Sequence, residues 1–321
     1  MANAIRIHET GGPEVMQHEE VDEPRPGAGE VVVEVAAAGI NFIDIYQRSG
    51  VYPLELPRTL GNEGAGTVTA VGEGVTDVAV GDRVAWAQSP GSYASHAVVQ
   101  ADLLVPVPEG VDLETAAAVM LQGMTAHYLV RSTYPVGEGD TVLVHAAAGG
   151  AGALIVQLAT SLGARVLATA STEDKREIAR AAGAELAIGY DGFADAAKEF
   201  TGGAGVHVVY DGVGKDTFDQ SLASLRPRGY LVLFGGSSGQ VPPFDPQRLN
   251  SGGSLFLTRP TLVHYMATTE ELRWRAGELF DAVRAGTLTV RVGATYPLAD
   301  VGRAHDDLAG RRTTGKLLLI P

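Results

Sequence analysis

The rhythm of hydrophobic and polar positions changes along the chain. Between Thr141 and Pro260 the short apolar runs TVLVHAA, RVLATA, LAIGY, GVHVVYDGVG, GYLVLFGG and SLFLTRP recur at intervals. These runs are close to continuous rather than alternating. The segments between them, such as EDKREIARAAGA and TFDQSLASLRP, space their apolar residues as helices do. Apolar strands alternating with helices predict a parallel sheet covered on both faces, and six of them fit a doubly wound sheet of the dinucleotide-binding kind.

The preceding stretch has another texture. Residues 1 to 123 are rich in Val, Gly and Pro, with strand-like runs EVVVEVAAAG and GAGTVTAVG punctuated by the turn signals GG, RPG and VGDRV. This predicts an irregular, mostly β domain. After Leu262 the pattern resumes with the helical TEELRWRAGELFDAVRAG and the strand GKLLLI, which is expected to return to the first domain. The expected fold class is therefore α/β, with one domain built from residues 1–123 and 262–321 and a Rossmann domain of residues 124–261 inserted into it, leaving a cleft between two lobes.

The run VLVHAAAGGAGALIVQLATSLGA carries no charge and could be mistaken for a membrane span. A span needs about 20 mostly apolar residues, yet GGAG interrupts this one and the β-branched TVLV precedes it. Strand, glycine turn and helix is the better reading. Composition supports this: 45% hydrophobic and 19% charged residues suit a globular chain of 321 residues. The formal net charge of −14 disfavours nucleic acid and anionic membranes as partners. The absence of cysteine excludes disulfides, thiolate metal sites and thiol nucleophiles. MANAIRIHET has no apolar secretory core, so a cytoplasmic setting is expected.

The glycine turn carries the first chemistry. Ala146-x-x-Gly149-x-x-Gly152 follows a strand and opens a helix, the context a dinucleotide fingerprint requires. Gly149, Gly150, Ala151 and Gly152 would bring bare backbone N–H groups and a helix N-terminus to a pyrophosphate. At the end of the second strand, NAD sites place an acid against the ribose hydroxyl. This chain has Ala170 and Ser171 there, with Lys175 four residues after Ser171. A small hydroxyl residue and a cation suit a 2′-phosphate, and Tyr190 at the end of the third strand could stack on it or hydrogen-bond to it. Glu173 and Asp174 fit this view only if they face solvent at the helix N-terminus. The cofactor expected is NADP(H).

With GGPEVMQ, GINFIDIYQRSGVYP, LGNEGAGTV, VGDRV, HAAAGGAG, VYDGVG and GKLLLIP in order along its whole length, the sequence resembles the zinc-independent, zeta-crystallin-like quinone oxidoreductases of the medium-chain dehydrogenase/reductase superfamily. The resemblance implies that the first domain is GroES-like. It also implies that no metal is bound, because Asn41, Asn62 and Gln122 stand where zinc-dependent relatives carry their ligands. An amide carbonyl is a poor zinc ligand. It places Asn41, Tyr46, Tyr52 and Gln122 around the nicotinamide, with Asp44 holding the loop. Thr125 would face the nicotinamide carboxamide from a helix start. Phe234, Gly235 and Ser237 of FGGSSG would cover the ribose. Phe256 and Leu257 of FLTRP would run beside the nicotinamide, and Lys316 would lie at the cleft edge. Family members are commonly homodimers.

Without a Lewis acid, simple alcohol oxidation is difficult, whereas a quinone or conjugated carbonyl already delocalises the incoming charge. An NADPH-dependent quinone reductase is therefore the expected activity, acting on a small-molecule quinone or conjugated carbonyl. An NADPH-dependent enoyl or enone reductase and a weakly catalytic NADPH-binding protein remain the alternatives. GGSSG also matches the hydrolase nucleophile pattern around Ser237, but two prolines follow where that motif needs a helix.

Overall fold

A computed structural model describes residues 1–321, which form two compact units, Met1–Met124 with Met266–Pro321, and Thr125–Tyr265. The chain opens with eight strands: β1 (Ala2–Ile7), β2 (Gln17–Val21), β3 (Glu30–Ile40), β4 (Arg58–Thr59), β5 (Glu63–Val71), β6 (Arg83–Ala87), β7 (His96–Gln100) and β8 (Val105–Pro106). Two helices, α1 (Phe42–Arg48) and α2 (Leu113–Tyr128), accompany them.

The second unit holds β9 (Thr141–Val144), β10 (Arg165–Thr169), β11 (Leu186–Ile188), β12 (Val206–Asp211), β13 (Leu225–Leu233) and β14 (Phe256–Thr258). Between them run α3 (Gly150–Ser161), α4 (Glu173–Ala181), α5 (Phe193–Phe200), α6 (Phe218–Ala223) and α7 (Gln247–Ser251). The chain then returns to the first unit through α8 (Thr269–Arg284), β15 (Val292–Pro297), α9 (Val301–Ala309) and β16 (Lys316–Ile320).

In the second unit the six predicted strands pair in the order β11-β10-β9-β12-β13-β14, every pair parallel. All four residues of β9 are buried, as they must be in a strand covered on both faces. Leu143, Leu167, Val209 and Leu231 bring four central strands into one core with Phe193 and Phe218. The order reverses beside β9, so the turns leaving β9, β10 and β12 meet at the sheet's topological switch point.

The first unit is a seven-stranded sheet, β15-β16-β3-β5-β6-β8 with β7 also on β3, and a small sheet β2-β1-β4. Its core gathers Ile5, Val33, Leu60, Trp86, Tyr93, Leu317 and Leu319. As the sequence implied, GKLLLI comes back: β16 lies antiparallel to β3 with Leu317 opposite Ile40 and Leu319 opposite Ala38. That pairing decides where the Lys316 side chain enters the unit.

Two corrections concern element limits. Thr125, expected at a helix start, lies inside α2 (Leu113–Tyr128). The Ala-rich LETAAAVM sustains the helix twelve residues earlier, and Asp112 fixes its first turn by accepting from Thr115 N at 2.7 Å. The Leu-Arg-Pro that ends TFDQSLASLRP also belongs to a strand, since α6 stops at Ala223 and β13 begins at Leu225.

Glycine is required at the turn into α3 because a Cβ on Gly152 would come within 2.4 Å of Ala146 O. Gly277 in α8 is the opposite case, with nothing within 4 Å of its Cβ position. We predict that Gly152→Ala destabilises the protein by about 1–3 kcal/mol. Gly277→Ala should stabilise it by about 0.5–1 kcal/mol, both read from thermal and urea unfolding.

Candidate functional site

Strand β3 ends at Ile40 and α1 begins at Phe42, which makes Asn41 the junction residue. Its main-chain N–H donates to Asp44 Oδ2 at 2.8 Å, so the acid three residues on closes the helix start. The Asn41 side chain is committed in both directions. Nδ2 donates to Glu63 Oε1 at 2.7 Å and more weakly to Gly39 O at 3.4 Å. Oδ1 accepts from Lys316 Nζ at 2.9 Å and from Gln122 Nε2 at 3.5 Å. The amide orientation follows from charge: the ammonium can only donate and the carboxylate only accept.

Glu63 is fully buried and Lys316 is 1% exposed, and the two form a direct ion pair. The other oxygen of Glu63 accepts from Leu121 N of α2 at 2.6 Å. Gly39 makes room for this pair, because a Cβ there would fall 2.1 Å from Glu63 Oε1 and 2.6 Å from Lys316 Cε. Burial pulls the Lys316 ammonium below its ordinary range, with the Asp44 carboxylate opposing that shift.

Asp44 anchors a second set of bonds. Asn62 Nδ2 donates to Asp44 Oδ1 at 2.6 Å and to Gln47 Oε1 at 2.8 Å. The Tyr93 hydroxyl donates to Asp44 Oδ2 at 2.8 Å and lies 3.3 Å from His305 Nε2, while Arg48 Nη1 is 3.4 Å from His305 Nδ1. Burial raises the Asp44 carboxyl despite the bonds from Asn62 and Tyr93. Burial, aided by Arg48, pushes His305 down to about 3. The imidazole is neutral at physiological pH.

The structure thus brings Asn41 and Gln122 together and turns Asn62 toward Asp44. The Asn41 amide hydrogens are directed at Glu63 and Gly39. Gln122 differs: its Oε1 is buried with no hydrogen-bond partner. Tyr46 and Tyr52 pack edge to face at 5.4 Å, with Phe42 6.2 Å beyond Tyr46, and Tyr52 is 39% exposed.

In the second unit the run from Thr141 to Ser161 forms strand, turn and helix, the order the sequence predicts. Gly149 caps α3, and the Gly149 N–H donates to Ala146 O at 2.9 Å. Ala146 sits at φ 50°, a left-handed conformation stabilised by the Tyr190 hydroxyl, which accepts from Ala146 N at 3.1 Å. The expected partner of a phosphate is therefore bonded to the turn itself. Ser171 is exposed beyond β10, Thr172 caps α4 by accepting from Lys175 N at 3.3 Å, and Lys175 is half-buried. Phe234 and Gly235 both donate main-chain N–H groups to Asp211 O, and Ser237 N donates to Gly212 O at 3.2 Å. Phe256 is 48% exposed and stacks on Tyr230 at 4.5 Å, and Leu257 lies opposite Leu231 of β13.

Comparison with known proteins follows this division. The model of the alcohol dehydrogenase GroES-like domain matches residues 27–109, and that of the zinc-binding dehydrogenase matches residues 150–281. The quinone oxidoreductase of Pseudomonas aeruginosa is 46% identical over 325 residues, covering 100% of both chains. The 2-haloacrylate reductase of a Burkholderia species is 45% identical over 100% of this chain and 99% of its own. Escherichia coli quinone oxidoreductase, solved with NADPH, superposes with a TM-score of 0.97 at 45% identity, over 99% of this chain and 100% of that one. A mycobacterial protein complexed with NADPH gives 0.97 at 52% identity over 100% of both. The chain belongs to the quinone oxidoreductase family of medium-chain dehydrogenases/reductases.

The zinc in one family description can be tested against the residues present. Zinc takes thiolate, imidazole or carboxylate ligands. Here the corresponding side chains are amides, and no group of three or more His, Cys, Asp or Glu forms. The Lys316 ammonium already occupies the space between Glu63 and Asn41 Oδ1, where a second cation would meet it. The residues do not fit a zinc ion.

Several residues that organise these sites carried no sequence signal. His145 is fully buried, with Nδ1 2.8 Å from Thr169 Oγ1 and Nε2 2.9 Å from Ser221 Oγ, and burial pushes it down to about 4. Asp211 accepts from Val213 N, Gly214 N, Thr217 and Ser221, tying down the turn after β12. Glu63, Tyr93 and His305 were equally invisible, being single residues whose partners are distant in the chain.

Removing one member of a buried ion pair strands the other. Lys316→Met should destabilise the protein by about 3–5 kcal/mol. Glu63→Gln with Lys316→Met should regain most of that loss in thermal unfolding, since a neutral Gln leaves no unpaired buried charge and can still accept from Leu121 N. Equal stability of the two variants would contradict the pairing.

Proposed function

We propose that this chain is an NADPH-dependent quinone oxidoreductase that works without zinc, in the cytoplasm and as a homodimer. The observation that carries the activity is similarity over 99–100% of the chain to quinone oxidoreductases and to structures complexed with NADPH. The unpaired edge of β14, with the exposed Phe256 upon it, supports the homodimer.

When bound, the reduced nicotinamide supplies the reducing equivalents, and a quinone accepts them at an electron-poor conjugated centre. The protein's task is to bind and align. Gly150, Ala151 and Gly152 offer main-chain N–H groups at the α3 N-terminus to a pyrophosphate, while Gly149 closes the turn on Ala146 O and Tyr190 holds it in shape. Ser171 and Lys175 are assigned to the 2′-phosphate. Phe234, Gly235 and Ser237 are assigned to the ribose, and Phe256, Leu257 and Thr125 to the nicotinamide side.

In the other unit, Asn41 acts through its fixed orientation. With its own hydrogens bound inward, it directs the Gln122 amide so that Oε1 is left as an acceptor for a ligand N–H. Tyr52, the exposed member of the aromatic pair, is assigned as hydrogen-bond donor to the reduced oxygen, with Tyr46 supporting its ring.

A second reading has a specific observation in its favour. The relative named 2-haloacrylate reductase is as similar as the quinone oxidoreductases, so reduction of an activated carbon–carbon double bond belongs to the same scaffold. Steady-state kcat/KM for small quinones against crotonyl thioesters and 2-haloacrylate separates the two. An advantage of more than about tenfold for the alkenes would replace the first reading by the second.

Lys175→Ala should weaken NADPH binding by about tenfold to a hundredfold, the value of a charge-assisted hydrogen bond, and leave NADH binding unchanged. Titration calorimetry checks this, and equal losses for both nucleotides would contradict the assignment.

A further inference from the structure

The end of β10 presents more charge than the Ser171 and Lys175 pair. Glu173, in the first turn of α4, has both carboxylate oxygens occupied by arginines of its own helix. Arg176 reaches Oε2 with Nε at 2.8 Å and Nη2 at 2.7 Å, and Arg180 reaches Oε1 with Nη1 at 2.8 Å. The two hold the Glu173 carboxyl below its usual range, Arg180 contributing most. Glu173 is therefore turned along the helix surface and is not offered to a ribose hydroxyl as the acid of an NAD site would be.

The two arginines are not equivalent. Arg180 is 37% exposed and also pairs with Glu177. Arg176 is 23% exposed, and its guanidinium leans over the ends of two strands. Its Nη1 lies 3.5 Å from Ala170 O, the residue after β10, and 3.9 Å from the Cβ position of Gly189, the residue after β11. Tyr190 follows Gly189 and bonds the glycine turn through Ala146 N. Arg176 thus stands where the ribose end of a dinucleotide meets a doubly wound sheet, with a planar donor fork suited to phosphate.

We propose that Arg176 is a second determinant of 2′-phosphate selectivity, and that Glu173 and the phosphate compete for it. This rests on the NADP(H) reading above. Glu173 is not left without a partner when Arg176 turns to the phosphate, because Arg180, which it shares with Glu177, still reaches its Oε1. The arrangement also removes the difficulty that an acid so near a phosphate site raises. Glu173 sets how tightly the phosphate is held, without repelling it outright.

The test uses adenosine 2′,5′-bisphosphate and adenosine 5′-monophosphate, which differ only by the 2′-phosphate, titrated into the full-length protein by calorimetry. Arg176→Gln should weaken the bisphosphate about threefold to tenfold, less than an isolated charge-assisted bond because the ion pair with Glu173 is surrendered. The monophosphate should be unaffected, which also reports that the unit is folded. Glu173→Gln should tighten the bisphosphate by about twofold to fivefold, and that gain should vanish in the Arg176→Gln background. Wild-type preference for the bisphosphate with neither variant altering it overturns the proposal and leaves the cofactor reading standing. No preference in the wild type overturns both. Equal weakening of both nucleotides by Arg176→Gln also overturns the proposal.

Discussion

A carboxylate that has lost its water must be given partners, and Glu63 obtains them from three other parts of the chain. The Asn41 amide comes from the β3–α1 junction, the Leu121 N–H from α2 and the Lys316 ammonium from the last strand. Each partner is costly to lose, because an unpaired charge in that interior is penalised far beyond one hydrogen bond. The requirement therefore fixes more than stability. It sets which way the Asn41 amide faces, and through it the Gln122 amide, and it makes Gly39 obligatory. The C-terminal strand is held by backbone pairing to β3 and β15 and by this ion pair at its first residue. In place of a metal and its ligands, this lobe has an internal cation and a set of oriented amides.

The second unit solves a different problem with different means. The turn into α3 carries no charged side chain. Close packing supports it: Gly152 sits against Ala146, and Tyr190 and Asp211 bind main-chain N–H groups of the turns they adjoin. Past β10 the short helix α4 carries three acids, a lysine and two arginines, and Glu173 is paired with both arginines.

Much of the architecture could be read from the sequence. The six apolar runs became the six parallel strands because nothing else buries a continuous β-branched run on both faces. The glycine spacing led to its turn because backbone approach leaves no alternative to a missing Cβ. What could not be read depends on distance. Glu63 and Lys316 are 253 residues apart, and neither GNEG nor GKLLLI hints at the other. The same is true of Tyr93 and His305. Thr125, expected at a helix start, lies inside α2, which runs through LQGM without a break. Arg176 is the instructive miss. Glu173, Arg176 and Arg180 stand at spacings of three and seven, one face of a helix, so the pairing that neutralises the acid was present in the sequence.

The central claim is that NADPH-dependent quinone reduction proceeds in a site whose cation is Lys316 rather than zinc. The direct measurement is kcat/KM for a simple benzoquinone with NADPH, on protein dialysed exhaustively against a strong chelator and again after zinc is restored. The account predicts turnover that chelation leaves unchanged and zinc does not raise. Turnover lost on chelation and recovered with stoichiometric zinc would contradict it.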